Sequence, residues 1–209
     1  GRNQLVLDMG RKDVQEYIKK CFFDIMDQAN IEYVKLDMNR SIGNVYANDL
    51  PAQRQGEVLH RYVLGLYNVL NAIVERYPDL LIESCSGGGG RFDAGMLYYA
   101  PQAWCSDNTD AIDRIKIQYG SSFGYPISSV GAHVSACPNH QTGRSVPLST
   151  RADVALAGSF GYELDLRLLS DEEKAQVKEQ IKEFHDYYDL THEGDYTLTF
   201  DSATLTPAE

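Results

Sequence analysis

Short apolar runs alternate with longer amphipathic stretches along most of this chain. Gln4–Asp8 (Gln-Leu-Val-Leu-Asp) is short and apolar, as a buried parallel strand is. Val14, Tyr17, Ile18, Cys21, Phe22, Ile25 and Met26 then recur at helical spacing, with Asp13 as the expected cap. Ile31–Asp37 predicts a second strand. Val58, Tyr62, Leu66, Val69, Leu70 and Ile73 stripe a helix from about Gln53 to Arg76, which Pro78 stops. Leu80–Ser84 predicts a third strand, and Gly87–Gly90 a loop. A short helix at Phe92–Tyr99 leads to a brief strand at Ala103–Ser106. Asp110–Tyr119 reads as helix, Ile127–His133 as strand, Thr150–Ala157 as helix and Phe160–Leu164 as strand.

Strand and helix thus alternate about six times, which implies a parallel sheet. A doubly wound sheet and a barrel both fit. The polar residues favour the barrel: Asp8, Lys35, Asp37, Glu83, Cys85, Asp107 and His133 lie at or just after the C-terminal ends of strands. That end is the catalytic face of a TIM-type (β/α)8 barrel. Six units leave two to find, so a partial barrel lacking its first two strands is expected over residues 1–169, carrying strands 3 to 8. Residues 170–209 then hold the last barrel helix and the start of a C-terminal β region. Ser170-Asp-Glu-Glu-Lys caps a charged helix to about Tyr188, and Tyr196–Phe200 alternates like a strand.

Composition narrows the function. The 209 residues are 43% hydrophobic and 23% charged, an ordinary globular balance. A net charge of −11 repels phosphate backbones, so no nucleic-acid partner is expected. No apolar run approaches the roughly 20 residues of a membrane span. Gly-Arg-Asn-Gln at the start carries no Met and no signal peptide, and reads as the interior of a longer sequence. Cys21, Cys85, Cys105 and Cys137 are widely spaced, which suits reduced thiols and a cytoplasmic location.

Four clusters carry chemistry. Lys35-Leu-Asp37-Met-Asn39-Arg40 sets a carboxylate among groups that keep it ionised, which suits a nucleophile or a general base. A loop aspartate capping the next turn is the plainer alternative. Glu83-Ser-Cys85-Ser, four glycines and Arg-Phe-Asp93 lack the spacing of a phosphate loop, so the glycines serve close approach to a ligand. Trp104-Cys-Ser-Asp107-Asn-Thr-Asp110 holds two acids; Asp110 suits a helix cap, leaving Asp107 as the candidate acid. His133 and the Cys137/His140 pair show too few ligands for zinc, and His133 reads as a polar pocket wall. Asp37 and Asp107 invite a glycosidase mechanism, although two acids on a barrel equally suit an aldolase or an isomerase.

The chain resembles glycoside hydrolase family 36, the bacterial and fungal α-galactosidases. The resemblance rests on Tyr33-Val-Lys-Leu-Asp-Met-Asn-Arg40, the stretch Glu83–Asp93, Ser106-Asp-Asn-Thr-Asp-Ala111, Gly131–Ser135 with Pro138-Asn-His140, and Phe160–Asp165. It implies Asp37 as nucleophile and Asp107 as acid/base. It implies that Lys35 and Asn39 bind galactose hydroxyls, that Cys85, Gly87 and Gly88 wall the sugar, that Arg2 reaches the substrate and that Trp104 shapes the floor. Leu36 stands where the family usually has Trp. The family's N-terminal β domain and first two barrel strands, which also contribute to the galactose site, have no counterpart here.

The implied reaction is retaining hydrolysis of terminal α-galactosides such as melibiose or raffinose, with carboxyl groups about 5–6 Å apart and no metal or organic cofactor. Asp107 must carry a proton when substrate arrives, while Asp37 stays ionised beside Lys35. α-N-acetylgalactosaminidase activity, galactosyl transfer and an inactive sugar-binding fragment remain alternatives, as does a Schiff-base aldolase using Lys35. The family also implies a homo-oligomer for the full-length protein.

Overall fold

The computed structural model describes residues 5–43, 45–195, 200–201 and 206–207. It divides into two compact units, residues 1–108 and 109–209.

The first unit is an α/β layer. Helix α1 (Lys12–Met26) precedes strand β1 (Tyr33–Asp37); a 3-10 turn (Ala52–Glu57) leads into helix α2 (Val58–Arg76), and strand β2 (Leu81–Cys85) follows. Short helix α3 (Ala94–Leu97) and strand β3 (Gln102–Ala103) complete it. The strands run parallel in the order β1-β2-β3. Register sets Lys35 opposite Glu83 and Glu83 opposite Gln102, with Asp37 opposite Cys85 one step further. Alternate side chains face opposite ways. Leu36 and Ile82 therefore join Val69 and Ile73 of α2 and Ile18 and Phe22 of α1 in the apolar core, while Tyr33, Lys35 and Asp37 share the other face.

The second unit has its own core. Helix α4 (Ala111–Ser122), strand β4 (Gly131–Ser135), helix α5 (Leu148–Ala155), strand β5 (Ser159–Glu163) and helix α6 (Asp171–Glu193) follow in order. β4 and β5 are parallel. Ala132 and Val134 pack with Leu148, Ala152, Ala155 and Val177. The α6 capping box forms as the sequence predicts, between Ser170 and Glu173. Strands β6 (Phe200–Asp201) and β7 (Thr206–Pro207) pair antiparallel; residues 196–199 of the expected strand lie outside the described residues.

Several boundaries move. Residues 5–8 form no ladder, and Leu5 is 95% exposed. A buried strand needs hydrogen-bonding neighbours and apolar cover, and an apolar run alone guarantees neither. Asp13 lies inside the first turn of α1 paired with Arg11, and no side chain caps that helix. The strand expected from Ile127 begins at Gly131, because Ile127–Ser129 closes a 3-10 turn after Pro126.

Candidate active site

Parallel pairing brings the C-terminal ends of β1 and β2 together, and the loops that leave them carry the candidate chemistry. Asp37 is the last residue of β1. Asn39, two residues on, donates from Nδ2 to Asp37 Oδ2, while its Oδ1 accepts the Gly87 amide at 2.7 Å. Burial pushes the Asp37 carboxyl up, but Asn39, the Cys85 thiol and the Gly87 and Met38 amides outweigh it and hold the group below the usual carboxylate range. Burial pushes the Cys85 thiol up, so it stays a neutral donor.

Lys35 departs from expectation. Its ammonium does not pair with Asp37; it lies 3.0 Å from Glu83 Oε1 and 4.3 Å from the centroid of the Trp104 ring. Glu83 Oε2 accepts the Tyr33 hydroxyl and, at 2.7 Å, the Gln102 amide. The Asp37 carboxyl is thus held low chiefly by neutral donors, with the Arg91 guanidinium adding a charge interaction. The Trp104 indole N–H donates to Asp107 Oδ1 at 3.1 Å, tying the candidate acid to the strand end.

The glycine loop has two distinct parts. Gly87 is exposed, with φ +55°, and a Cβ there would meet only Asn39 Oδ1, at 3.8 Å. Gly88 is buried, with φ +84°, and a Cβ there would stand 2.9 Å from Ser106 Cα and 3.0 Å from the Asp107 nitrogen. Gly88 therefore abuts the backbone that carries Asp107. Arg91, which sequence reasoning passed over, donates to the carbonyls of Leu36 at 2.9 Å and Cys85 at 2.8 Å and clamps the two strand ends. Its signal was an arginine directly after four glycines, where a long side chain can fold back over its own loop.

The structure thus gathers Lys35, Asp37, Asn39, Cys85, Gly87, Gly88, Trp104 and Asp107 in the first unit. Arg2 lies outside the described residues. Leu36 faces the helices, so the departure there alters the core and spares the site. A cavity of about 650 Å³ opens beside the site, lined by Met38, Asn39, Arg40, Tyr62 and Arg91. Asp110 caps α4, accepting from Ile112 and Asp113 at 3.0 and 3.1 Å. His133 lies mid-strand in β4, with its ring against Gly161. Among the described residues no three His, Cys, Asp or Glu side chains cluster as a metal would need, and no helix is long and apolar enough to cross a membrane.

The sequence matches the melibiase family over residues 1–194. The chain belongs to the melibiase family. It is 56% identical over 207 residues to the bifunctional alpha-galactosidase/sucrose kinase AgaSK of Mediterraneibacter gnavus, covering 97% of this chain and 21% of that protein. It is 55% identical over 193 residues to alpha-galactosidase Mel36A of Lactobacillus acidophilus, covering 92% and 26%. Among solved structures, a variant of the GH36 alpha-galactosidase AgaA of Geobacillus stearothermophilus in complex with raffinose superposes with a TM-score of 0.93 at 52% identity, over 97% of this chain and 28% of that one. The melibiase-family chain therefore spans about a quarter of the length of such relatives.

Proposed function

We propose that this chain is part of a retaining α-galactosidase and supplies both carboxyl groups of the reaction. The observation that carries this reading is Asp37, exposed at the end of β1 and held below the usual carboxylate range chiefly by neutral donors, as a nucleophile requires. A second observation supports it. The AgaA variants solved with raffinose and with stachyose each replace an aspartate, and the two replaced aspartates are as far apart in that chain as Asp37 and Asp107 are here.

In the proposed reaction Asp37 attacks the anomeric carbon of a terminal α-galactoside while protonated Asp107 gives its proton to the departing oxygen. The galactosyl ester on Asp37 is then hydrolysed by water, which Asp107 deprotonates. Lys35 and Asn39 bind sugar hydroxyls, Cys85, Gly87 and Gly88 form the wall, Trp104 shapes the floor, and Arg2 reaches the substrate. In the whole protein, residues 1–169 supply strands 3 to 8 of a (β/α)8 barrel, residues 5–8 pairing there with a neighbour outside this chain, and 170–209 supply the last barrel helix and the start of a C-terminal β region. Substrates of the melibiose, raffinose and stachyose type, a homo-oligomeric whole protein and a cytoplasmic location belong to the same reading; the last draws on four cysteines that form no disulfide among the described residues.

Assay of the complete protein that carries this chain on the p-nitrophenyl α-glycosides of galactose and N-acetylgalactosamine tests it. Preferred cleavage of the galactoside is expected. Cleavage of neither, or preference for the N-acetyl sugar, would contradict it.

A further inference from the structure

One member of the row below Asp37 has no part in the reaction described. Glu83 stands between Lys35 and Gln102 across three strands, and its side chain is 1% exposed. A carboxylate so buried loses its hydration, and apolar packing in its place is often as stable or more so. Stability alone therefore does not account for it.

Its contacts do. Oε2 takes the Tyr33 hydroxyl and the Gln102 amide, and Oε1 faces the Lys35 ammonium at 3.0 Å. Lys35 and Asp37 are two apart on one strand, so both side chains lie on one face. A lysine has a flexible four-carbon stem, and its charge can swing between neighbouring carboxylates. Here it sits on Glu83 and over Trp104, whose indole holds Asp107. Asp37 is left to Asn39, Cys85 and backbone amides. Arg91 donates its hydrogen bonds to the Leu36 and Cys85 carbonyls and acts on Asp37 through charge alone, without an ion-pair contact.

We propose that Glu83 is a positioning residue that holds the Lys35 ammonium against Trp104 and off Asp37, leaving the nucleophile free to attack. The proposal rests on the reading of Asp37 given above. An ammonium in contact with Asp37 would stabilise its charge in the ground state, and that charge is lost as the glycosyl bond forms. Such contact slows the chemical step without improving catalysis elsewhere.

A double-mutant cycle in the complete protein, assayed on p-nitrophenyl α-galactoside, tests this. Glu83→Gln keeps the shape and removes the charge. Alone it should lower kcat about 100-fold, the scale of a misplaced group, with a smaller change in KM. In a Lys35→Met background the same substitution should change kcat by less than about threefold, because no ammonium remains to be misplaced. An equal loss in both backgrounds would make Glu83 merely structural and overturn the proposal, as would unchanged kcat in Glu83→Gln. Should Glu83→Gln not fold, Glu83→Asp replaces it in the cycle: its shorter reach loosens the ammonium, and its loss must likewise vanish with Lys35→Met. A wild type that cleaves the galactoside with an additive cycle refutes only the role of Glu83; a wild type that does not cleave it refutes the α-galactosidase reading itself.

Discussion

Gly88→Ala separates two views of the glycine loop: an open wall for a sugar, or a buttress for Asp107. The backbone at Gly88 has φ +84°, where a side chain costs about 1–2 kcal/mol. The added Cβ would stand 2.9 Å from Ser106 Cα and 3.0 Å from the Asp107 nitrogen. Both are backbone atoms and cannot rotate aside, so an overpacking cost of about 1–3 kcal/mol is added. Part of that strain must be relieved by moving the Asp107 backbone a few tenths of an ångström. The expected result is a clear drop in thermal midpoint and a kcat lower by about 10- to 100-fold. Gly87→Ala is the matched comparison. Its φ of +55° carries the left-handed cost alone, since its Cβ meets only Asn39 Oδ1 at 3.8 Å. It should raise KM more than it lowers kcat. Steady-state kinetics on p-nitrophenyl α-galactoside with the complete protein, beside thermal melts, decides the matter. A Gly88→Ala enzyme with kcat near wild type, or a Gly87→Ala enzyme with the lower kcat, would mean that Gly88 does not buttress Asp107.

Three further outcomes are expected. Asp37→Asn should lower kcat by several orders of magnitude with little effect on the melting curve, because no other carboxylate on β1 can attack; near-normal turnover would remove Asp37 from its role. Asn39→Ala takes away a donor that holds the Asp37 carboxyl low. Since the proposed attack by Asp37 needs the ionised form, the acid limb of the kcat/KM profile should move to higher pH, and a limb that stays or moves lower would contradict this. Asp110→Ala removes the α4 cap and the partner of Thr142 at 2.8 Å, costing about 1–2 kcal/mol. Burial raises the Asp110 carboxyl, but Thr142, the Asp113 amide and Arg144 bring it below its ordinary value. Its contribution is therefore present above the unfolded pKa of about 3.9 and fades as pH falls through the folded value, so denaturant titrations of wild type and variant should converge in acid.

The sequence pattern carried α2 through its long apolar stripe and proline stop, and α6 through its capping box. It set Asp37 and Cys85 at strand ends, where the structure has them, because polar residues at the ends of apolar runs stand out. It failed where pairing decides. Gln4–Asp8 read as a strand, but residues 5–8 form no ladder: an apolar run does not say whether a neighbour is there to share its hydrogen bonds. The pairing of Lys35 with Glu83 was hidden for the same reason: adjacency in sequence pointed to Asp37, and only the β1–β2 register sets Glu83 at its side. Gly87 and Gly88 look alike in a run of four, and only the approach of Ser106 and Asp107 tells them apart. Arg91 follows four glycines, but its partners are backbone carbonyls of two strand ends, which only the fold brings within reach.

In the proposed reaction Asp37 and Asp107 act together in retaining hydrolysis. Proton NMR of galactose released by the complete protein from p-nitrophenyl α-galactoside, followed from the first minutes, tests it most directly. With retention, the α anomer appears first and mutarotates later. First appearance of the β anomer would mean a single displacement and carboxyl groups too far apart for a glycosyl-enzyme; no release at all would mean that the chain serves some other chemistry.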